Sequence, residues 1–185
     1  MSRLLERYKS EITPALRETL RIANPMAVPR LEKVVVSMGV GEAAQDKGKM
    51  ELALESLAKI TAQKPQIRRA KKSVSNFKLR SGMPIGCRVT LRGQRMYEFV
   101  DRLINAAIPR LRDFRGLNPR SFDGHGNYSM GIADESIFPE IGQGTVSQSQ
   151  GMNVTFVTTA GDDPQARELL TRMGMPFRRT EEQDN

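Results

Sequence analysis

The sequence predicts an α+β protein: a mostly antiparallel sheet with helices packed on one face, carrying a long basic loop and a long glycine-rich excursion. Three observations predict it. Runs rich in β-branched residues alternate irregularly with helical periodicity, and their connections lack the even spacing of βαβ units. Residues 66–82, QIRRAKKSVSNFKLRSG, contain six cations and no acid. Residues 113–151 hold seven glycines, at 116, 124, 126, 131, 142, 144 and 151. With 185 residues in all, the chain reads as a single domain over 1–179 followed by a polar tail, 180–185.

Residues 3–22 carry a helical pattern in two pieces. Leu4, Leu5, Tyr8 and Ile12 form the first apolar face; Thr13 then reads as an N-cap with Pro14 at the first helical position. Pro25 and Pro29 lead into the strand LEKVVVSM, 31–38. An amphipathic helix over 46–61 has Met50, Leu52, Leu54, Leu57 and Ile60 as its apolar set, and Pro65 stops it. Residues 66–70 read as a short strand before the basic loop, and IGCRVTL, 85–91, as the next strand. Tyr97 to Leu111 is helical, bent or ended at Pro109. Within the excursion, 127–132 reads as a short strand, and Ile137, Phe138 and Ile141 mark it as a built segment and not a linker. MNVTFVTT, 152–159, is the clearest strand; Asp162 or Asp163 caps a last helix with Leu169, Leu170 and Met173 facing inward.

Charge points to the partner. Twenty-nine Lys and Arg face 21 acids, for a net +8, and a basic globular chain of this kind pairs with a polyanion. The excess is concentrated. From Ser56 to Tyr97 there is no acid, while Lys59, Lys64, Arg68, Arg69, Lys71, Lys72, Lys78, Arg80, Arg88, Arg92 and Arg95 fall in that window. A solvated surface mixes the two signs; a one-signed stretch fits phosphate contact, where each neutralised phosphate releases counterions. Phe77 has two readings, a ring that stacks on a base or ribose and a buried anchor of the loop. A flexible Ser73–Asn76 run would let it reach out.

Other signals are weaker. Cys87 is the one cysteine, so the chain has no internal disulfide, which suits a reducing compartment. The N-terminus lacks the apolar core of a secretory signal, and no apolar run approaches the ~18 residues that span a bilayer. A soluble, cytoplasmic protein without a membrane partner is expected. GVGEAA, 39–44, imitates a dinucleotide-binding turn, but Glu42 sits in the turn and no acid follows for a ribose. His125 is the single histidine and has no zinc-site companions. Asp113, Arg115 and Asp123 are expected to form local ion pairs. Asp134, Glu135 and Glu140 match no calcium loop and are expected to form an acidic face. No catalytic set, metal or cofactor is expected.

Five stretches carry a family resemblance: MAVPRLEKVVVSMGVGEA, QKPQIRRAKKSVSNFKLRSGMPIGCRVTLRG, RLRDFRGLNPRSFDGHGNYSMGI, IFPEI and MPFRR. In this order they cover most of the chain and resemble the bacterial L5 proteins of the large ribosomal subunit, the family that binds 5S rRNA. The resemblance implies a non-enzymatic RNA-binding protein of the central protuberance. Its partners would be 5S rRNA, large-subunit rRNA, P-site tRNA, neighbouring large-subunit proteins and a small-subunit protein across the intersubunit bridge. By matching position, Gln63, Phe77 and Thr90 are candidate rRNA contacts. Ser37 joins them, where the family commonly has Asn, and the cations Arg68, Arg69, Arg88 and Arg92 flank them. Lys71, Lys72, Ser73, Asn76, Lys78 and Arg80 would form the tRNA-contact loop. At Ser75–Asn76 the family often has Ala-Gly, and Asn76 is expected to preserve a left-handed turn. Asp113, Arg115, Asp134, Glu135 and Glu140 would face the small subunit. The alternative is a general RNA-binding module or RNA chaperone acting off the ribosome.

Overall fold

The computed structural model describes residues 2–44, 46–141 and 150–178; Gly142, Gly144 and the 180–185 tail lie outside them. Helix α1 (Arg3–Arg7) runs through a π-helical turn (Tyr8–Ile12) into α2 (Thr13–Thr19). Strand β1 (Leu31–Gly39) is followed by a 3-10 turn (Gly41–Ala44) and helix α3 (Lys47–Thr61). Strands β2 (Gln66–Arg69) and β3 (Pro84–Leu91) flank the basic loop. Helix α4 (Gly93–Arg102) continues into a second π turn (Leu103–Ala107) and a 3-10 turn (Ile108–Arg110). Strands β4 (Tyr128–Ile132) and β5 (Met152–Thr158) and helix α5 (Asp163–Met173) complete the fold. The five strands form one sheet in the order β2-β3-β1-β5-β4, and β2 pairs antiparallel with β3. This is the α+β architecture the sequence predicts.

From Val34 onward in β1, and along β3, β4 and β5, buried side chains recur every second residue, while Leu31 departs from that phase. Leu31, Val34, Val36 and Met38 of β1, Cys87, Val89 and Leu91 of β3, Tyr128, Met130 and Ile132 of β4, and Met152, Val154 and Phe156 of β5 are buried. Their neighbours in sequence are half-buried or exposed, apart from Gly86 beside Cys87, which is buried. One face of the sheet is thus core and the other is open, as expected of an antiparallel sheet with helices on one side.

Two compact units divide the chain. The first comprises 1–34, 92–130 and 155–185. Within it Leu4, Ile12, Leu16, Phe99, Val100, Leu103, Phe156, Leu169 and Leu170 are buried, and α1 packs on α4. The second comprises 35–91 and 131–154. There α3 lies on β3, with Met50, Ala53, Leu57 and Ile60 buried. Leu52 does not join that set; it is exposed. Buried positions spaced by three and four place Leu52 on the outer side of the helix.

Both π turns precede a proline, Pro14 and Pro109. A proline inside a helix lacks an N–H and its ring crowds the carbonyl four residues back; a wider turn relieves that crowding. Thr13 is therefore not a cap that starts a new helix. Its hydroxyl donates to the Tyr8 carbonyl at 2.8 Å inside a continuous helical run.

The DGHGN turn, Asp123–Asn127, is fixed by two carboxylates in the first unit. Asp123 accepts from the amides of His125 (2.9 Å) and Asn127 (3.0 Å) and from the Asn127 side chain (2.7 Å). These bonds, the Asn127 side chain first, hold its carboxyl below the usual range. Asp163 accepts from the amides of Gly124 (3.1 Å) and Gly126 (2.9 Å). Asp123 binds amides and forms no ion pair among the described residues, contrary to expectation, while Asp162 takes the N-cap position of α5 as expected, though without a side-chain cap bond. Gly126 has φ +76°, and a Cβ there would stand 2.7 Å from the Ala160 carbonyl oxygen. Gly126→Ala combines left-handed strain with that clash, and should lower unfolding stability by about 2 to 3 kcal/mol in urea titration; an unchanged midpoint would show that the turn relaxes freely.

Candidate nucleic-acid interface

The second unit gathers most of the predicted rRNA contacts on its open face. The β2–β3 register sets Gln66 opposite Arg88 and Arg68 opposite Gly86. Facing pairs share a side of the sheet, so Gln66, Arg68 and Arg88 project from the face opposite Cys87. Thr90 and Ser37 alternate with buried neighbours and are half-buried on their own strands. Gln63 comes close because of how α3 ends. Ala62 takes a left-handed conformation, φ +50°, and turns the chain. Gln63 Nε2 then donates to the Thr90 carbonyl at 3.3 Å. The sequence pattern assigned the helix stop to Pro65; the left-handed Ala62 has no signature, since Gly or Asn is usual there.

The basic loop is a hairpin arm. Ala70 donates to Met83 (2.8 Å) and Gly82 to Ala70 (2.9 Å), extending the β2–β3 ladder. Farther out, Val74 and Leu79 exchange backbone bonds of 2.9 and 3.0 Å. Ser73 is bonded into the arm: its hydroxyl accepts from the Ser81 amide at 3.0 Å. The Ser73–Asn76 run is therefore held, not slack. Ser75–Phe77 forms a 3-10 turn at the tip. The left-handed residue is Lys78, φ +52°, and not Asn76; Lys78 closes the turn by donating to Ser75 at 2.9 Å. Phe77 is 71% exposed, which decides between its two readings: it is not a buried anchor.

Charge on the arm is uncompensated. Lys71, Lys72, Lys78 and Arg80 are exposed, as are Arg68 and Arg69 at its base. Among the described residues none of these six, nor Arg88, forms an ion pair. Arg69 spends one guanidinium donor on the Gly82 carbonyl, 3.0 Å, clamping the arm beside the register shift at Arg68/Arg69. Arg92 belongs to the first unit and differs: it pairs with Glu32 at 3.2 Å.

The acidic set is dispersed. Asp113 and Arg115 fall in the first unit; Asp134, Glu135 and Glu140 fall in the second. Asp113 and Arg115 are exposed and make no ion pair among the described residues, contrary to expectation. Asp134 caps a 3-10 turn (Glu135–Ile137), accepting from the Ser136 amide at 2.8 Å. Glu135 is no part of an accessible face; it is 2% exposed. Its Oε1 accepts from the Ser56 hydroxyl at 3.2 Å, and Oε2 has no hydrogen-bond partner among the described residues. The acidic face expected of Asp134, Glu135 and Glu140 therefore loses Glu135.

Desolvation first, and then the Asp134 charge, push the Glu135 carboxyl up, against the Ser56 bond. Cys87, buried in the same unit, has its thiol pushed up to about 11 by desolvation and then by Glu135. At neutral pH it is an inert thiol. The GVGEAA turn offers no open anion site: Glu42 pairs with Lys49, and Asp46 caps α3 by accepting from the Gly48 amide at 2.9 Å. Among the described residues no three His, Cys, Asp or Glu side chains form a metal-binding group.

Comparison with known proteins decides the lineage. The model of "Ribosomal protein L5" matches residues 24–80, and that of the "ribosomal L5P family C-terminus" matches 84–177. The chain belongs to the ribosomal protein L5 family. It is 60% identical to large ribosomal subunit protein uL5 of Rubrobacter xylanophilus over 178 residues, 96% of this chain and 99% of the relative. It is 55% identical to the protein of that name from Alkaliphilus oremlandii (96% and 99% covered) and to that from Prosthecochloris aestuarii (97% and 91%). Membership makes the chain a structural, non-enzymatic ribosomal protein that binds rRNA.

Two predictions follow from the geometry around α3. Ala62→Gly removes the Cβ from a left-handed position and should raise stability by about 1 kcal/mol, read as a higher denaturant midpoint. Glu135 binds its proton more tightly folded than unfolded. Its contribution is therefore full below the unfolded carboxyl range and is lost as pH rises through the raised folded value. Glu135→Gln should flatten that fall and leave the variant at least as stable as the parent at pH 7, measured by thermal unfolding from pH 4 to pH 8; an unaltered pH profile would contradict it.

Proposed function

We propose that this chain is a structural constituent of the large subunit of the cytoplasmic ribosome that binds 5S rRNA and large-subunit rRNA in the central protuberance. The open sheet face, with Ser37, Gln63, Arg68, Arg88 and Thr90, contacts rRNA. Polar side chains read the shape of an irregular RNA while arginines take phosphates. The arm carries Lys71, Lys72, Lys78 and Arg80 to P-site tRNA and presents the Phe77 ring for stacking. The glycine-rich excursion faces a small-subunit protein across the bridge through its exposed residues.

One observation supports this reading above the others: seven cations on one face and its hairpin arm, without an ion-pair partner among the described residues. Exposed ion pairs form readily where acids are near. A surface that omits acids keeps its cations for an anion supplied from outside. An exposed aromatic ring at the tip suits a nucleobase, since every base has a stacking face.

The test is RNA binding by the full chain with Lys71, Lys72, Lys78 and Arg80 changed together to Gln. All four are exposed, so folding should be intact. Affinity for a tRNA–5S rRNA–large-subunit rRNA assembly should fall, and the slope of log affinity against log salt should flatten by about four. Equal affinity and slope would remove the arm from the interface. Preference for 5S rRNA over an unrelated structured RNA of equal length, kept at raised salt, separates this reading from general RNA binding.

A further inference from the structure

The first unit holds a second concentration of cations, well separated in sequence from the arm. The segments 110–120 and 175–178 carry five arginines, Arg110, Arg112, Arg115, Arg120 and Arg178, and a single acid, Asp113. All five arginines and the acid are exposed. Among the described residues none of the six takes part in an ion pair.

Two of these arginines are brought together by backbone. Leu117 and Phe177 form a parallel bridge: Leu117 donates to Pro176 at 2.8 Å and Arg178 donates to Leu117 at 2.9 Å. Arg178 Nε reaches the Arg115 carbonyl, 3.4 Å. Gly116 makes the approach possible. It has φ +95°, and a Cβ there would sit 2.9 Å from the Arg178 amide nitrogen. Arg115 and Arg178 therefore flank one glycine, joined by a bridge that a bulkier residue would push apart. The bridge holds the backbones of two exposed arginines side by side. Guanidinium groups suit phosphate, since their fork of donors matches two of its oxygens.

We propose that Arg115 and Arg178, flanked by Arg112, form a second phosphate-binding surface that grips the RNA backbone independently of the hairpin arm. It rests on the reading of the chain as an RNA-binding protein and adds a site to it. Arg115 is also one of the residues expected to face the small subunit, and phosphate contact here would reassign it to RNA. Phosphate contact through it carries no base specificity; it positions the RNA that the sheet face reads.

The test compares three full-length variants on deproteinised large-subunit rRNA and on 5S rRNA, each titrated between 50 and 200 mM salt. Arg115→Gln with Arg178→Gln should flatten the salt slope by about two on at least one RNA. The affinity gap between variant and parent should then narrow about tenfold across that salt range. Arg115→Lys with Arg178→Lys keeps the charge and should retain most of the slope. Adding the Gln pair to the arm variant should add its loss to the arm's. Unchanged slopes on both RNAs overturn the proposal, including a case where only assembly with a protein suffers. So does a Lys pair that fails as badly as the Gln pair with a lowered melting temperature, which would mean a structural role. If the arm variant alone has no effect, the arm assignment fails and this surface stands.

Discussion

A strand turns successive side chains to opposite faces, and that rule sets a polar row behind the core of this sheet. In β3, Cys87, Val89 and Leu91 go to the core, so Arg88 and Thr90 must go the other way. A slip of one residue would put an arginine in the core, where an unpaired charge is prohibitively costly. The register that secures the core thus also presents the polar row. Strand β2 escapes this constraint: all four of its residues are exposed at the edge of the sheet. An edge strand is a template for unwanted pairing, and cations on it discourage such pairing. Arg68 and Arg69 therefore keep the edge free in the isolated protein as well as charging it.

Prolines shape the rest without breaking it. Pro14 and Pro109 each follow a π turn; the helical path continues into α2 after Pro14, and after Pro109 it closes in a 3-10 turn that ends at Arg110. A proline carries its penalty only where it costs an i→i−4 bond and crowds the carbonyl behind it. Widening the turn by one residue moves that carbonyl aside. The helical faces stay in phase across the turn: Leu4, Ile12 and Leu16 are all buried, and Tyr8 between them sets its hydroxyl on the Pro29 carbonyl at 2.9 Å.

Strands and long helices were legible in the sequence because their signal is local: VVV in β1, the alternation of IGCRVTL, the apolar spacing of α3. The basic segment was legible as a one-signed cationic stretch because charge is additive and visible in composition. What was hidden depended on contacts across the chain. The arm is ordered by a Ser73 hydroxyl that accepts from Ser81 eight residues on, and serines in a polar run look like linker. Asp163 resembles a helix cap in sequence, yet it serves two glycine amides far earlier in the chain. Thr13 before Pro14 has the form of a cap and is used inside a helix. Glu135 is the sharpest case: nothing local distinguishes a glutamate that faces solvent from one that Ser56 receives in the core.

Glu135 and the arm show opposite treatments of charge. Exposed like charges repel by only about 1 kcal/mol at 4 Å in water, and salt at physiological strength screens them beyond roughly 8 Å. Seven unpaired cations on the open face and arm are therefore tolerable in the free protein. Opposite a phosphate backbone the same cations release condensed counterions, a gain that grows with each contact. Ordering the arm beforehand adds to this, because a hairpin already closed by Val74–Leu79 pairing loses less freedom on binding than a slack loop would. The Glu135 carboxylate gains nothing comparable. It sits out of water with one hydroxyl donor, and its raised proton affinity is the sign of that burden. The seven cations of the open face and arm, unpaired among the described residues, and Glu135, buried beside Ser56, thus put positive charge outside where a polyanion can meet it and keep a carboxyl inside.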